Sequence, residues 1–248
     1  HLASYTWLKF SYSYTPSFYI KSYVKSDPYI IYDFEENSYM MPASFSSEKI
    51  RFSLDFPLLI PFKRTYLSLK YSLESQYYNP DFTAFDLEIK NYYIKIRKKI
   101  FKHSNISISY MQSYADNISY MNGLLSTSDK DRSYTQERFF IAFSIQKFSL
   151  LNRQMSMGIY SNFESRNFLS SIEEDELHFE RSHQDISINY WLKRHLSNYF
   201  DIKLKGIHRT RNTSSPYNME EFSVSDFRSF SKFEIWLSLT LKMELNVY

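Results

Sequence analysis

His178, Arg181, His183 and Asp185 are the densest grouping of residue types that could do chemistry. His183 and Asp185 stand two apart, so in a strand they share a face. A serine hydrolase needs a histidine oriented by an aspartate beside a serine. Serine is abundant along the whole chain, so a nearby hydroxyl is no signal, and no G-x-S-x-G elbow occurs. A metal centre would have to join His178 and His183 to Glu174 or Glu176, yet H-E-x-x-H and similar zinc spacings are missing. These residues are expected at the rim of a β structure, with no catalytic residue, no metal ligands and no cofactor. His103 and His195 fall in basic turns, and His208 follows an outward parity.

A second set of residues says more. Lys9, Lys49, Arg51, Asp55, Lys70, Glu74, Asp86, Glu88, Lys90, Asp201, Lys203, Lys205, Glu234 and Lys242 take the polar parity of alternating segments, as do Lys21 and Lys232. Both signs are mixed along that parity, so the set is expected to form ion pairs on one face. The basic run Arg97–His103 lies at a strand turn and is most simply solvated, so no nucleic-acid partner is expected.

The element that positions such a face is a long two-sided strand. Between Ser231 and Tyr248, Phe233, Ile235, Leu237, Leu239, Leu241, Met243, Leu245 and Val247 hold one parity, and Lys232, Glu234, Trp236, Ser238, Thr240, Lys242, Glu244 and Asn246 the other. A strand crossing a bilayer in a tilted barrel needs about 9–11 residues, apolar outward and polar inward. The pattern recurs at Leu8–Tyr14, Phe18–Val24, Ile30–Phe34, Ile50–Phe56 and Leu67–Leu73. It continues at Phe82–Arg97, Ile106–Tyr110, Phe139–Ile145, Met155–Ile159, Ile186–Leu192 and Phe200–Leu204. Within Phe82–Arg97 the apolar parity passes from Phe85, Leu87 and Ile89 to Tyr92, Ile94 and Ile96. A one-residue slip turns a strand over unless a bulge absorbs it, so a bulge is expected near Asn91-Tyr92.

These segments predict about twelve antiparallel strands in one domain, 1–248. The seven prolines (16, 28, 42, 57, 61, 80, 216) all fall in the inferred connections. Short connections after Ser26, Phe56, Arg97, Asn152 and Lys193 are expected on one side. Longer ones near 37–46, 115–133, 165–175 and 211–222 are expected on the other, with short turns at Thr15 and Asn79 as exceptions on that side.

Composition bounds the alternatives. Aromatic residues make up 19% of the chain, glycine numbers only 3, and cysteine is absent. Gly-rich phosphate loops, disulfides and thiolate metal sites are therefore excluded. No run approaches the roughly 18 apolar residues of a membrane helix. The net charge of +3 arises from 30 basic and 27 acidic residues, a balance unlike that of a nucleic-acid binder. The chain opens on His1 without a signal peptide, so a processed or trimmed product is expected.

The alternation, the alternating connection lengths and the aromatics near strand ends (Tyr12, Tyr14, Tyr32, Tyr71, Tyr110, Tyr190) resemble the bacterial outer-membrane β-barrel superfamily. The resemblance is architectural. It implies a closed antiparallel transmembrane barrel with short periplasmic turns, longer extracellular loops and the polar parity toward the lumen. It also implies contact with outer-membrane lipid and lipopolysaccharide, and with the barrel-assembly machinery during insertion. A pore, transporter or export conduit is expected. A scaffold subunit with a blocked lumen and protein partners is one alternative, and an outer-membrane hydrolase using rim residues near His183 is another. Two departures stand out: such barrels carry abundant glycine, and their last strand ends on an aromatic in phase with the lipid face, whereas Tyr248 is in phase with the polar side. Either the chain continues past Tyr248 or insertion tolerates a shifted signal.

Overall fold

The structure, a computed structural model, describes residues 6–26, 38–58, 64–78, 86–118, 131–150, 153–173, 175, 177–197, 199–217 and 223–241, with backbone alone at 17–26, 38–43, 150, 153 and 227. Ten strands follow in chain order: β1 Trp7–Ser26, β2 Ser38–Leu58, β3 Thr65–Tyr78, β4 Leu87–Phe101, β5 Ser104–Asn117, β6 Tyr134–Leu150, β7 Arg153–Phe168, β8 Ser182–His195, β9 Phe200–Ser214 and β10 Phe230–Leu241. A short helix, α1 (Val224–Arg228), precedes β10 and is capped by Ser223, whose hydroxyl accepts from the Asp226 amide. All ten strands belong to one sheet in simple sequential order, each antiparallel to the next. Among the described residues β1 and β10 are its two edges, and no ladder joins them.

The count differs from the expected twelve for two reasons. The turn expected at Thr15-Pro16-Ser17 does not form. β1 runs through it, with register shifts between Thr15 and Phe18 and between Tyr19 and Lys21. Proline has no ladder donor, and a bulge lets the strand pass it. The strand expected at Ile30–Phe34, with Tyr32, lies outside the described residues. The expectation that every proline sits in a connection is also corrected, because Pro16, Pro42 and Pro57 lie inside β1 and β2. Among the described residues Pro16 is on an edge strand, Pro42 precedes the first β2–β3 pair at Phe45↔Tyr78, and Pro57 lies beyond the last β1–β2 pair at Trp7↔Asp55.

The connections alternate in length. Spans 102–103, 151–152 and 196–199 lie at one end, whereas 118–133, 169–181 and 215–229 lie at the other. Merging the first two expected strands moves the span after Ser26 to the long-connection end, and the long loop expected at 37–46 falls mostly within β2.

Directly opposed residues share a face, so the register sorts the side chains. One face carries Leu8, Phe52, Leu69, Ile94, Tyr110, Phe139, Ile188, Leu204 and Leu237, all exposed or half-exposed. The other carries Arg51, Lys70, Glu74, Arg138, Glu164, Asp185 and Arg211. This polar face is the sheltered one: Ser53, Ser72, Ser113, Gln136, Glu164, Asp185 and Asp201 on it are buried. A small apolar cluster of Leu87, Ile89, Ala115 and Tyr134, packed against Phe168, also lies on this face near the long connections.

The expected bulge at Asn91-Tyr92 is absent. The β3–β4 ladder runs without interruption through Leu73↔Lys90, Ser72↔Asn91 and Tyr71↔Tyr92. The parity of Tyr92, Ile94 and Ile96 therefore holds back to Glu88, and Leu87 and Ile89 point to the sheltered face.

Two of the three glycines have a steric reason. A Cβ on Gly158 would stand 2.7 Å from Trp191 Nε1, and one on Gly206 would meet the Tyr190 ring. Each ring lies across the backbone of its direct partner strand. Gly158→Ala is expected to displace the Trp191 indole, lower stability by about 1–3 kcal/mol and shift tryptophan emission. Unchanged emission and stability would mean that Trp191 does not cover Gly158.

Candidate functional site

The sheltered face is built of cross-strand rows in which charges meet. Arg138, Glu164, Asp185 and Arg211 are successive partners across β6, β7, β8 and β9. Arg138 Nε stands 2.7 Å from Glu164 Oε2. Asp185, almost fully buried, accepts from Arg209 Nε at 2.9 Å and Nη2 at 2.5 Å, and from Arg211 Nη2 at 2.8 Å. One carboxylate thus receives two guanidinium forks, the strong charge-assisted geometry. Both arginines also lie 5.4 Å from the Phe230 ring centre on β10. Toward β2 the face carries the Lys49–Glu74 pair, whose carboxylate also accepts from Gln76 at 2.9 Å. At the short-turn end Asp201 forms an ion pair with Lys193 at 2.8 Å and lies 2.5 Å from His195 Nδ1.

A concave pocket of about 450 Å³ opens on this face, lined among others by Lys49, Arg51, Lys70, Glu74, Tyr93 and Arg138. Those side chains come from β2 through β6. Strands are spaced about 4.8 Å apart, so a flat sheet would spread them over roughly 20 Å. A shared pocket requires the sheet to curl around its polar side.

The structure brings many of the residues singled out in the sequence onto this face. Lys9, Lys49, Arg51, Asp55, Lys70, Glu74, Asp201, Lys203, Lys205 and Glu234 all have partners there, with Lys9 opposite Ser53 and Glu234 held by Lys232 at 2.7 Å. Three placements are corrected. Glu88 and Lys90 lie on the apolar face with Tyr92 and Ile94, because β4 carries no bulge. They pair there with each other at 2.9 Å, and Lys90 reaches Asp116 at 3.6 Å, near the long-connection end. Asp86 precedes β4 and staples the strand ends, accepting from the Tyr78 amide at 2.6 Å. Burial holds its carboxyl above the usual range, against the pull of that amide. Lys242 lies outside the described residues.

His178 and His183 do not join into one centre. His178 Nδ1 lies 2.9 Å from both oxygens of buried Asp175, which also accepts from the Asp131 amide. His183 is on the polar face opposite Arg166, and the two imidazoles contact Phe168 separately, at 5.2 and 6.0 Å between ring centres. Glu174 and Glu176 lie outside the described residues. His208 is on the apolar face opposite Phe233.

Arg138, Glu164, Arg166, Arg209 and Arg211 were missed. Their signal was the parity already visible in Phe139–Ile145, Met155–Ile159 and Phe200–Leu204, carried further toward the long connections. The strands are longer than their cleanly alternating cores.

No family model and no curated protein sequence matches the chain. Two solved structures are similar to it. One is the NanC porin, with TM-score 0.41 and 9% identity over 97% of this chain and 100% of that one. The other is the open form of the ferric-catecholate import receptor Fiu from E. coli K12, with TM-score 0.42 and 8% identity over 96% of this chain and 47% of that one.

The two faces call for opposite responses to loss of a carboxylate. Asp185→Asn leaves Arg209 and Arg211 without their shared counter-charge and is expected to cost about 2–3 kcal/mol, partial exposure of the arginines moderating the buried-pair figure. Glu88→Gln removes a half-exposed pair and is expected to cost less than about 0.5 kcal/mol. Urea unfolding followed by far-UV circular dichroism measures both. Equal losses would contradict the assignment of the faces.

Proposed function

We propose that this chain is an outer-membrane β-barrel of a diderm bacterium that closes by pairing β1 with β10, and that it serves as a pore, transporter or export conduit for polar solutes. The observation that carries the proposal is the segregation of faces: exposed aliphatic and aromatic side chains run along one face of the sheet, and the other, sheltered face holds the ion pairs of β2–β3 and of β6 to β9. Lipid accepts the first face, and water accepts the second. Each strand, at 12 to 21 residues, exceeds the length a tilted crossing needs.

Closure is supported by the edges. Outward side chains in the middle of the sheet, such as Ile94 and Ile141, are 41% and 42% exposed, whereas Leu8 on β1 and Leu239 on β10 reach 78% and 69%. The excess is the area a missing neighbour would cover. In an even-numbered sequential sheet the first and last strands run antiparallel, so they can complete a ladder without a new turn. An unpaired edge of this length would otherwise recruit other chains. Ten strands give a lumen between the filled eight-stranded and open sixteen-stranded cases. The expected partners are outer-membrane lipid, lipopolysaccharide and the barrel-assembly machinery during insertion.

A second function is favoured by one feature. The cluster of Leu87, Ile89, Ala115, Tyr134 and Phe168 occupies the polar face near the long connections and would narrow a lumen there. A scaffold subunit with a blocked lumen and protein partners fits that feature. Planar-bilayer recording separates the two: conductance supports the pore, and an assembled but silent protein supports the scaffold.

Arg at Leu237 or Leu239 is expected to prevent membrane assembly, because a lipid-facing charge at mid-depth costs about 2–4 kcal/mol. Arg at Ser238, on the opposite face, is expected to be tolerated. Heat-modifiable migration of outer-membrane fractions scores assembly, and equal tolerance at all three positions would remove the membrane proposal. Protease added to intact cells is expected to cut within 118–133 or 215–229 and to spare 102–103. The reverse pattern would invert the topology.

A further inference from the structure

Gln136, Arg166, His183 and Thr213 are consecutive cross-strand partners on the polar face, one row across β6, β7, β8 and β9. Each keeps a buried side-chain atom without a hydrogen-bond partner: Nε2 of Gln136, Nε of Arg166, Nε2 of His183 and Oγ1 of Thr213. Arg181, at the entry to β8, adds its Nε. Leaving such an atom unpaired forfeits the hydrogen bond that water would have given it, and native structures hold few of them. Here five occur together, and all share one character. Each carries, or in one tautomer carries, an N–H or O–H donor.

None of these five atoms reaches an acceptor within hydrogen-bond length. Of the carboxylates around them, Glu164 is engaged by Arg138 at 2.7 Å and by Arg166 Nη2 at 3.3 Å and stands 3.8 Å from His183 Nε2, and Asp175 is engaged by His178 at 2.9 Å and by the Asp131 amide. Asp185, in the next row, is filled by Arg209 and Arg211.

The guanidiniums are held by their faces. Arg166 stacks over Tyr134 at 4.3 Å and Arg181 over Phe168 at 4.0 Å, and the two rings stand edge to face at 6.0 Å. Stacking orients a guanidinium without consuming its in-plane donors. Gln136, His183 and Arg181 are only 4%, 7% and 8% exposed. Burial first, and then the neighbouring charges of Arg228, Arg166 and Arg211, push the Arg181 guanidinium down to about 10, against the pull of Asp175. A shielded cation among other cations is stabilised by a counter-charge.

We propose that this row is a binding site for the oxyanion, carboxylate or phosphate, of a solute on the polar face, with Arg166, Arg181 and His183 as its main ligands and Gln136 and Thr213 as flanking donors. The site lies at the long-connection end. It rests on the hydrated-lumen proposal, which it deepens by naming the charge class of the solute.

The test is isothermal titration of the folded full chain in a phosphate-free maltoside detergent at constant ionic strength. Inorganic phosphate is one probe and acetate the other, so that the two oxyanion sources are read separately. Saturable binding of either probe is expected, weakened about tenfold or more in Arg166→Gln, where a charge-assisted contact is lost. Thr213→Val, which alters no charge, and Arg181→Lys, which keeps charge but loses the fork, are expected to weaken it several-fold. Lys203→Gln, toward the other end of the same face, should bind as the wild type does. If Arg166→Gln fails to fold, the Thr213 and Arg181 variants decide. Wild-type affinity in both, no saturable binding of either probe, or equal weakening by Lys203→Gln would overturn the site. The titration needs no conductance: a silent protein that binds phosphate removes the pore but keeps the site, and a conducting protein that binds neither anion does the opposite.

Discussion

A strand shows alternate side chains to opposite sides, and a charge is stable only where water or a counter-charge meets it. Everything distinctive in this molecule follows from applying both conditions to ten strands at once. The apolar parity keeps its large side chains exposed, with nothing among the described residues covering them. The polar parity carries most of the strand ion pairs and is the sheltered side. That is the inverse of a water-soluble sheet packed on a core, where the oily face is hidden. In the proposed barrel both faces find their medium, hydrocarbon outside and water or ion pairs within.

The pairing on the polar face is graded. Near β2 and β3, Lys49 and Glu74 satisfy each other. In the middle, two arginines share Asp185, and Arg138 and Arg166 share Glu164. The row of Gln136, Arg166, His183 and Thr213 itself contains no carboxylate. Arg166 and Arg181 are held beside it by Tyr134 and Phe168, and the donors between them are left over. Aromatic support takes the place of ion pairing where a permanently satisfied guanidinium would have nothing left to offer.

Most of the fold was legible because alternation is a local signal. The parity of Phe233–Leu241, Leu67–Leu73 and Ile186–Leu192 assigns faces without knowledge of any neighbour. What failed was non-local. Pro16 read as a turn because proline lacks a donor, but whether the donor is needed depends on which side of β1 has a partner. Glu88 and Lys90 read as inward because Leu87 and Ile89 looked lipid-facing. The sheltered face holds a small apolar cluster there, and only the β3 and β5 partners reveal it. The arginine-rich row was invisible for a similar reason: Gln136, Arg166, His183 and Thr213 are distant in sequence and become neighbours through register alone. Arg166 and Glu164 also lie beyond the cleanly alternating part of β7, where the pattern gives way to polar residues on both parities.

The central claim is that the apolar face meets hydrocarbon while the polar face stays hydrated. The chain contains no cysteine, so single cysteines at Leu237, Ser238, Leu239 and Thr240 can carry nitroxide labels without background. Their collision rates with molecular oxygen and with a water-soluble nickel chelate, in reconstituted bilayers, report lipid and water contact position by position. The account predicts a two-residue period, with oxygen dominant at 237 and 239 and the chelate dominant at 238 and 240. Uniform chelate access at all four positions, or the opposite phase, would contradict it.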